Sequence, residues 1–435
     1  MVEYRVRRTV RTELRYRETG TAEDSVKLLG AIAFELVRVG ALVGLAAAAA
    51  WSFRVAVSDH LASEVTVNGL EQAIAWSPGQ SLNYVRLSAL ITETDPGKAE
   101  ALLQQAVVLN PMDSRSWIDL ALRHEMSGNL PAAEQELLRA ATTDHQYLPR
   151  WSLTNFYFRR GDDARFWLWA QRASAMLYDD PKLLFRLCDA VAADANLIDR
   201  LGLRNPDVRA SYLSYLLARN HGALIPPVAQ RILIDNREPD VPVLLAACDR
   251  LLELQAVGEA IGVWNGLSAA RRIPYGPLSP DVAGVTNSGF SSTPTSQGFD
   301  WRVPDIGGVN VVREDASGGI RLIFSGRQPE SCTLLSQFIP VRENAHYEME
   351  NLYNTSGIAD RSGLSWNIEY TDVRRSTNTT AEIPSVEKGN ALVLPFDTPT
   401  GCHLARLSLA YQRAPGTTRI EGNIVLRQVR LRRAG

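Results

Sequence analysis

Residues 116–141, SWIDLALRHEMSGNLPAAEQELLRAA, contain the pattern that decides the fold of the middle of this chain. The pattern recurs at intervals of 33 or 34 residues, and two independent sets of markers share that period. The alanines are Ala73, Ala106, Ala140 and Ala173, and the aromatic residues are Tyr84, Trp117 and Trp151. Two marker sets at one period predict a stack of similar structural units.

These units resemble the tetratricopeptide repeat. That family places an aromatic residue near the start of a first helix, a small residue later in it, and alanines in a second, antiparallel helix. The matching residues are Trp117, Leu120, Ala121, the turn residues Gly128 and Asn129, then Ala133 and Ala140, with Pro78 and Pro111 closing two units. The unit that opens at Trp151 departs from the pattern, because Asn155 takes the small-residue position.

The resemblance implies a curved solenoid with a groove that binds a peptide or another protein, since a single helix pair cannot bury its own apolar face. We assign the solenoid to residues 58–275, where irregular helix pairs follow the regular repeats. Carried over by register, the partner-binding positions of the groove are Arg115, Glu125, Arg159 and Arg160. The alternative is that these four side chains are merely solvated charges.

A long apolar segment precedes the repeats. Residues 39–53, VGALVGLAAAAAWSF, contain no charge, and from Leu28 onward the apolar run is interrupted only by Glu35 and Arg38. A membrane span needs about 20 mostly apolar residues. We therefore predict a transmembrane helix at 28–57 after a basic tail at 1–27. A cleaved signal peptide and a buried alanine-rich helix are the alternatives.

Basic residues before this segment predict its orientation, because positive charge favours the cytoplasmic side. Seven arginines and lysines precede the apolar run. We therefore place the N-terminus in the cytoplasm of a bacterial-type cell, with one span of the inner membrane and the rest of the chain outside the cytoplasm.

The hydrophobic period changes from 3.6 to 2 in the last third of the chain. GGIRLIFSG at 318–326, GLSWNIEY at 363–370 and LARLSLAY at 404–411 alternate apolar and other residues, and turn-forming residues separate them. Half-buried strands at this spacing predict an antiparallel β-sandwich of the jelly-roll type at 276–435.

This part resembles the jelly rolls of carbohydrate-binding modules and galactose-binding-like domains. The resemblance rests on VTNSGF at 285–290, GFDWRV at 298–303 and the return of the chain through LLSQFIPVRENAHYEMENLYNTSG at 334–357. It implies a glycan stacked on aromatic rings, for which we single out Trp301 and Tyr353. Trp366 and Tyr370 alternate with apolar residues and are expected in the core.

The segment before these strands, TNSGFSSTPTSQGFDW at 286–301, has the composition of a linker. Phe290, Phe299 and Trp301 indicate instead that it contains the first strand and loop of the sandwich, which leaves the proline-rich 274–284 as the linker. Among the four cysteines, Cys332 and Cys402 are the pair we predict as a disulfide, and Cys188 and Cys248 are expected as buried thiols.

The net charge and the distribution of histidine and cysteine residues favour a binding protein. The net charge is −2, which gives no basic footprint for nucleic acid. The six histidines are scattered and no Cys-x-x-Cys pair exists, so we expect neither a metal nor a cofactor. The sequence thus predicts a membrane-anchored scaffold with a protein partner in the repeat groove, and the jelly-roll resemblance implies a polysaccharide partner. By analogy with this layout, we expect a role in cell-surface polysaccharide assembly or export. The alternative is a carbohydrate-active enzyme with its site in the jelly roll.

Overall fold

The computed structural model describes the backbone from residue 3 to residue 434 with short gaps, and the side chains from residue 27 onward. The gaps are 178–179, 193–196, 204, 220, 315–317, 374–377 and 388. The chain divides into two compact units, 1–156 and 157–435, and the boundary lies inside the helix that carries Trp151. Each unit is described by itself.

The first unit begins with a single long helix, α1 (Glu3–Ser63). By length and composition, its segment Lys27–Ser63 could cross a membrane, with a mean hydropathy of 2.0 over its most apolar window, none of which is buried. In the described part of the chain this apolar window contacts no core, whereas Ser58 and Ala62 near the end of α1 are buried. The basic side chains before residue 27 lie outside the described side chains.

Antiparallel helix pairs follow α1 at the predicted period. The second helices of successive pairs bury Ala73, Ala106 and Ala140 completely, which lets neighbouring helices approach closely. Side chains of Asp95, Asp113 and Asn129 cap helices that they precede. The helices are α2 (Val67–Trp76), α3 (Ser81–Ile91), α4 (Pro96–Leu109), α5 (Ser114–Met126), α6 (Leu130–Thr143) and α7 (Tyr147–Arg160).

The repeat aromatics also have a polar function. The Tyr84 hydroxyl donates to the Pro78 carbonyl at 3.0 Å, and the Trp117 indole N–H donates to the Pro111 carbonyl at 2.9 Å. In both repeats the donor lies six residues after the proline that ends the preceding unit. The aromatic residue thus satisfies a carbonyl at the connection between two repeats.

The second unit continues with less regular helix pairs. They are α8 (Asp163–Ser174), α9 (Lys182–Val191), α10 (Leu197–Arg200), α11 (Pro206–Ala218), α12 (Ile225–Asp235), α13 (Val241–Glu253) and α14 (Val257–Ala269). Cys188 and Cys248 are buried free thiols. Burial raises the pKa of both thiols, so they remain protonated and act as small apolar groups.

An antiparallel β-sandwich completes the second unit. The strands are β1 (Val309–Arg313), β2 (Ile320–Ser325), β3 (Ser331–Pro340), β4 (His346–Ser356), β5 (Leu364–Tyr370), β6 (Thr379–Glu382), β7 (Asn390–Asp397), β8 (Leu404–Gln412) and β9 (Glu421–Arg433). One sheet has the order β1-β2-β9-β4-β7 and the other β3-β8-β5-β6. Alternate residues of both sheets meet in one core, where Trp366 is fully buried, as its alternation with Leu364 and Ile368 predicts.

The segment 286–301 belongs to the sandwich, but it contains turns and no strand among its residues. Phe290, Phe299 and Trp301 are each fully buried. The prediction of a first strand here is therefore wrong, while the prediction that these rings anchor the segment is confirmed. Chain direction changes too often for a strand, and Asn287 and Phe290 both have positive φ angles.

The proline-rich 274–284 is held against α14 rather than free. The Asn265 side chain donates to the Leu278 carbonyl and accepts from the Leu278 N–H, at 2.9 and 2.7 Å. The Tyr275 ring stacks on Trp264, with 5.8 Å between ring centroids and 3° between planes. Within the second unit, this segment is thus a packed connection.

The same helices contact the sandwich directly, at a surface that we call the junction: Asp249, Trp264, Tyr275, Gly298, Phe299 and Arg302. Phe299 meets Trp264 edge to face at 5.8 Å. Asp249 accepts from the Gly298 N–H at 2.8 Å and pairs with Arg302. Burial raises the pKa of Asp249, and the Arg302 charge acts against that rise. The junction joins apolar packing with a charge-assisted hydrogen bond.

Candidate functional site

One concave surface of the first unit lies between α3 and α5, the first helices of two neighbouring repeats. It encloses a volume of about 310 Å³. We call it the repeat groove. Its lining is apolar on two sides, with a few polar groups among the apolar ones: Val85, Ser88, Ala89, Thr92, Leu103, Asp119, Leu122, Arg123 and Met126.

One face of α5 supplies the outer half of this lining. Leu122 and Arg123 lie three and four residues after Asp119, and Met126 lies four residues after Leu122, so the four side chains form a stripe on one side of the helix. The opposite side buries Leu120 and Ala121 in the repeat core. Leu122 is 42% exposed and Met126 80% exposed. These two apolar side chains are therefore available to a partner.

The polar groups of the groove are partly constrained. Arg123 contacts the Thr92 hydroxyl across the groove, from α5 to α3. Asp119 keeps contact with solvent, yet the surrounding groove walls raise the pKa of its carboxyl by desolvation, and the charge of Asp113 adds to that rise. A carboxylate and a guanidinium one turn apart can bind donors and acceptors of a peptide backbone.

The predicted partner-binding residues are not part of this lining. Arg115 is exposed at the start of α5, and Glu125 is half-buried near its end. Arg159 and Arg160 are exposed at the end of α7 and belong to the second unit. The positions predicted from the repeat family lie near the ends of α5 and α7, whereas the groove is lined by the stripe along one face of α5. In the sequence, this groove face is marked by apolar Leu122 and Met126, which are four residues apart and outside the repeat positions.

A charged cluster connects the two repeats behind the groove. His124 on α5 lies 2.8 Å from Glu136 on α6 and 3.2 Å from Glu100 on α4. Burial disfavours the charged imidazole, but the hydrogen bonds and charges of the two carboxylates outweigh it and raise the pKa of His124. The fold therefore favours the protonated form, which bridges both glutamates.

We expect this cluster to make repeat stability depend on pH. A raised histidine pKa contributes stability below the unfolded value of 6.5, and this contribution is lost as the pH rises through the folded-state value. H124Q should therefore lower the free energy of unfolding more at pH 5.5 than at pH 8.5. Urea titrations followed by circular dichroism measure this difference, and an equal loss at both pH values would contradict it.

The two predicted glycan-binding residues are buried in the sandwich core, which corrects that prediction. Trp301 is 0% exposed, lies against Phe290 and Trp366, and donates its indole N–H to the Asn287 carbonyl at 3.3 Å. Tyr353 is 1% exposed and donates its hydroxyl to the Pro384 carbonyl at 3.0 Å. Neither ring has a free face on which a sugar could stack.

The sandwich surface offers little else for aromatic stacking. Among the described residues from 276 to 434, every tryptophan and tyrosine is buried. Phe338 on β3 is half-buried, and the guanidinium groups of Arg302 and Arg406 lie over its ring at 4.6 and 5.8 Å. Arg302 also belongs to the junction. The Phe338 ring is therefore covered by side chains of the protein itself.

The predicted Cys332–Cys402 disulfide is also wrong. Both thiols are free. Cys332 is paired with Tyr411 at one end of the β3–β8 ladder, whereas Cys402 precedes Leu404, which pairs with Pro340 at the other end. At about 3.3 Å per residue the two cysteines are roughly 25 Å apart, far beyond the reach of a disulfide. In the described part of the chain, no cluster of histidine, cysteine and acidic residues is arranged to hold a metal ion.

Comparison with known proteins gives no family assignment. No protein-family model matches the chain. The curated proteins likewise contain no match.

Similar solved structures divide between the two kinds of module. MamA covers 38% of this chain and 90% of its own, with 15% identity and a TM-score of 0.28. The carbohydrate-binding module CBM4 covers 34% and 99%, with 12% identity and a TM-score of 0.27. The enzymatically active domain of bacteriophage CBA120 tailspike protein 4 covers 36% of this chain, with 16% identity and a TM-score of 0.27, and the match spans 22% of the tailspike domain.

Proposed function

We propose that this protein is a membrane-anchored interaction scaffold whose repeat groove binds a segment of a partner protein. The observation that supports this most directly is the α5 stripe, in which Leu122 and Met126 are exposed beside Asp119 and Arg123. The α1 segment would place the repeats outside the cytoplasm, beside a bacterial-type membrane.

The composition of the groove favours a peptide with an apolar anchor. A volume of about 310 Å³ suits a small number of side chains rather than a folded domain. Met126 can adapt to different shapes because its side chain is unbranched and flexible. Asp119 and Arg123 lie on the same face as the apolar residues and can fix the direction of a bound chain through hydrogen bonds.

In this proposal the sandwich has a structural function. Its segment 286–301 packs against α13 and α14 at the junction, so the terminal helices gain a covering domain. A glycan partner, a role in polysaccharide assembly and a carbohydrate-active enzyme remain outside the proposal. Each would need a ligand surface, and both aromatic residues singled out for one are buried.

We expect M126E to weaken peptide binding at least tenfold, because burying a methionine contributes about 1.5–3 kcal/mol and tenfold corresponds to about 1.4 kcal/mol. The probe is a peptide selected from a random library on the full-length protein in detergent, and fluorescence polarisation measures its affinity. M112E is the matched control, since Met112 is 67% exposed and lies outside the groove lining.

The control should bind within about twofold of the wild type, because Met112 contributes nothing to the groove. Equal losses in M126E and M112E would show that the peptide binds elsewhere. Failure of the library to yield any peptide whose binding depends on Met126 would remove the proposed site.

A further inference from the structure

The apolar helix and the first repeat are one continuous element. α1 runs without a break from its apolar segment to Ser63, and its last turns pack against α2. Ser58 is fully buried, donates its hydroxyl to the Ala73 carbonyl at 2.9 Å and accepts from Asn83 at 3.1 Å. The end of α1 thus serves as the first helix of the first repeat.

The repeat register extends into the apolar segment. Trp51 lies 33 residues before Tyr84, which itself lies 33 residues before Trp117. Tyr84 and Trp117 each donate to a proline carbonyl six residues earlier. The residue six before Trp51 is Leu45, inside the helix, so Trp51 has no equivalent repeat connection and is 65% exposed.

A cluster of aromatic rings marks the point where the apolar segment meets the repeat. The Phe53 and Trp76 rings meet edge to face at 6.2 Å, and Arg54 donates its Nε–H to the Trp76 carbonyl at 3.0 Å. Phe53 is 62% exposed and Trp76 42% exposed. Trp51 lies two residues before Phe53, on another side of α1 and about 3 Å away along its axis. We call Trp51, Phe53 and Trp76, which share this level of the helix, the membrane-proximal aromatic patch.

We infer that this patch lies in the headgroup region of the bilayer and that Trp76 thereby seats the first repeat on the membrane surface. The inference rests on the proposed membrane anchor. Arg54 is the first charged residue after Arg38, so the apolar span ends where the patch begins. Ser58 lies only about 10 Å along the helix from Trp51, which leaves no flexible linker. Tryptophan favours the membrane interface because its ring is apolar and its N–H needs water or a headgroup.

Quenching of tryptophan fluorescence by brominated lipid tests this arrangement. The full-length protein is reconstituted into phosphatidylcholine nanodiscs with and without bromine on the acyl chains near the glycerol. The chain has nine tryptophans, so single Trp→Phe variants isolate each contribution. We expect W51F and W76F each to lower the quenched intensity by about half, and the double variant to abolish it, because those two rings occupy the interface.

W117F is the matched control. Trp117 lies in the third repeat and donates to the Pro111 carbonyl, so its replacement should leave the quenched intensity unchanged. If W51F lowers quenching and W76F does not, the helix is in the bilayer but the first repeat does not rest on the membrane surface. The inference about Trp76 then fails, while the proposed membrane anchor stands. If the wild type shows no quenching, α1 does not enter the bilayer and the proposed anchor fails with it.

Discussion

Replacing Trp264 with alanine should lower the free energy of unfolding of the second unit by about 4 kcal/mol, which is typical of a fully buried tryptophan. Trp264 is 0% exposed, and its ring packs between Tyr275 and Phe299. The loss therefore includes contacts between α14 and the sandwich segment. We expect the variant to unfold in two transitions in urea, helices and sandwich separately, where the wild type unfolds its second unit in one.

A pair of glycine variants separates this packing from backbone strain. Gly298 has a φ of +59°, and a Cβ there would lie 2.6 Å from the Trp264 ring. Gly416 has a φ of +81°, and a Cβ there would meet nothing within 4 Å. Both alanine substitutions carry the left-handed backbone cost of about 1 kcal/mol. G298A should therefore be clearly more destabilising than G416A, and equal effects would show that the junction is not tightly packed.

Replacing Trp301 with alanine should also cost about 4 kcal/mol, because its ring is enclosed by the sandwich core. It lies 5.3 Å from the Phe290 ring and 6.1 Å from the Trp366 ring, measured between centroids. A glycan-stacking tryptophan would behave in the opposite way, since its loss would remove binding and leave stability almost unchanged. Urea unfolding followed by near-ultraviolet circular dichroism distinguishes the two outcomes.

The matched control is W301F, which keeps an aromatic ring in the core and removes the N–H that donates to Asn287. We expect it to recover more than half of the stability lost in W301A, because most of the loss comes from the cavity. A stable, fully folded W301A protein would contradict the burial of this ring and restore Trp301 as a ligand-binding residue.

The 33- to 34-residue repeat period and the change to a hydrophobic period of 2 were sufficient to predict the fold class. Ala73, Ala106 and Ala140 are local markers, because each must be small wherever two helices of a pair touch. The alternation around Trp366 has the same local origin, since successive strand residues point to opposite sides of a sheet. Both patterns depend on neighbours in the sequence, and both predictions are confirmed in the structure.

The candidate site required the tertiary structure. The groove forms where Val85 of one repeat faces Leu122 of the next, and no pattern within one helix shows which of its faces has a partner. Trp301 stands among serine, threonine and glycine, as a loop residue would, and becomes buried because two sheets close around it. The pairing of Cys332 with Cys402 depends on the register of β3 and β8, which a sequence does not display.

The sequence by itself thus determined the order of the modules: an apolar helix, helix pairs and an antiparallel sandwich, each from a period that only local geometry imposes. The tertiary structure alone decided what each module presents to the outside. It buried the aromatic residues of the sandwich, exposed Met126 in the groove and joined the apolar helix to the first repeat through Ser58. Exposure depends on residues distant in the chain that meet only after folding, and a linear pattern therefore does not contain it.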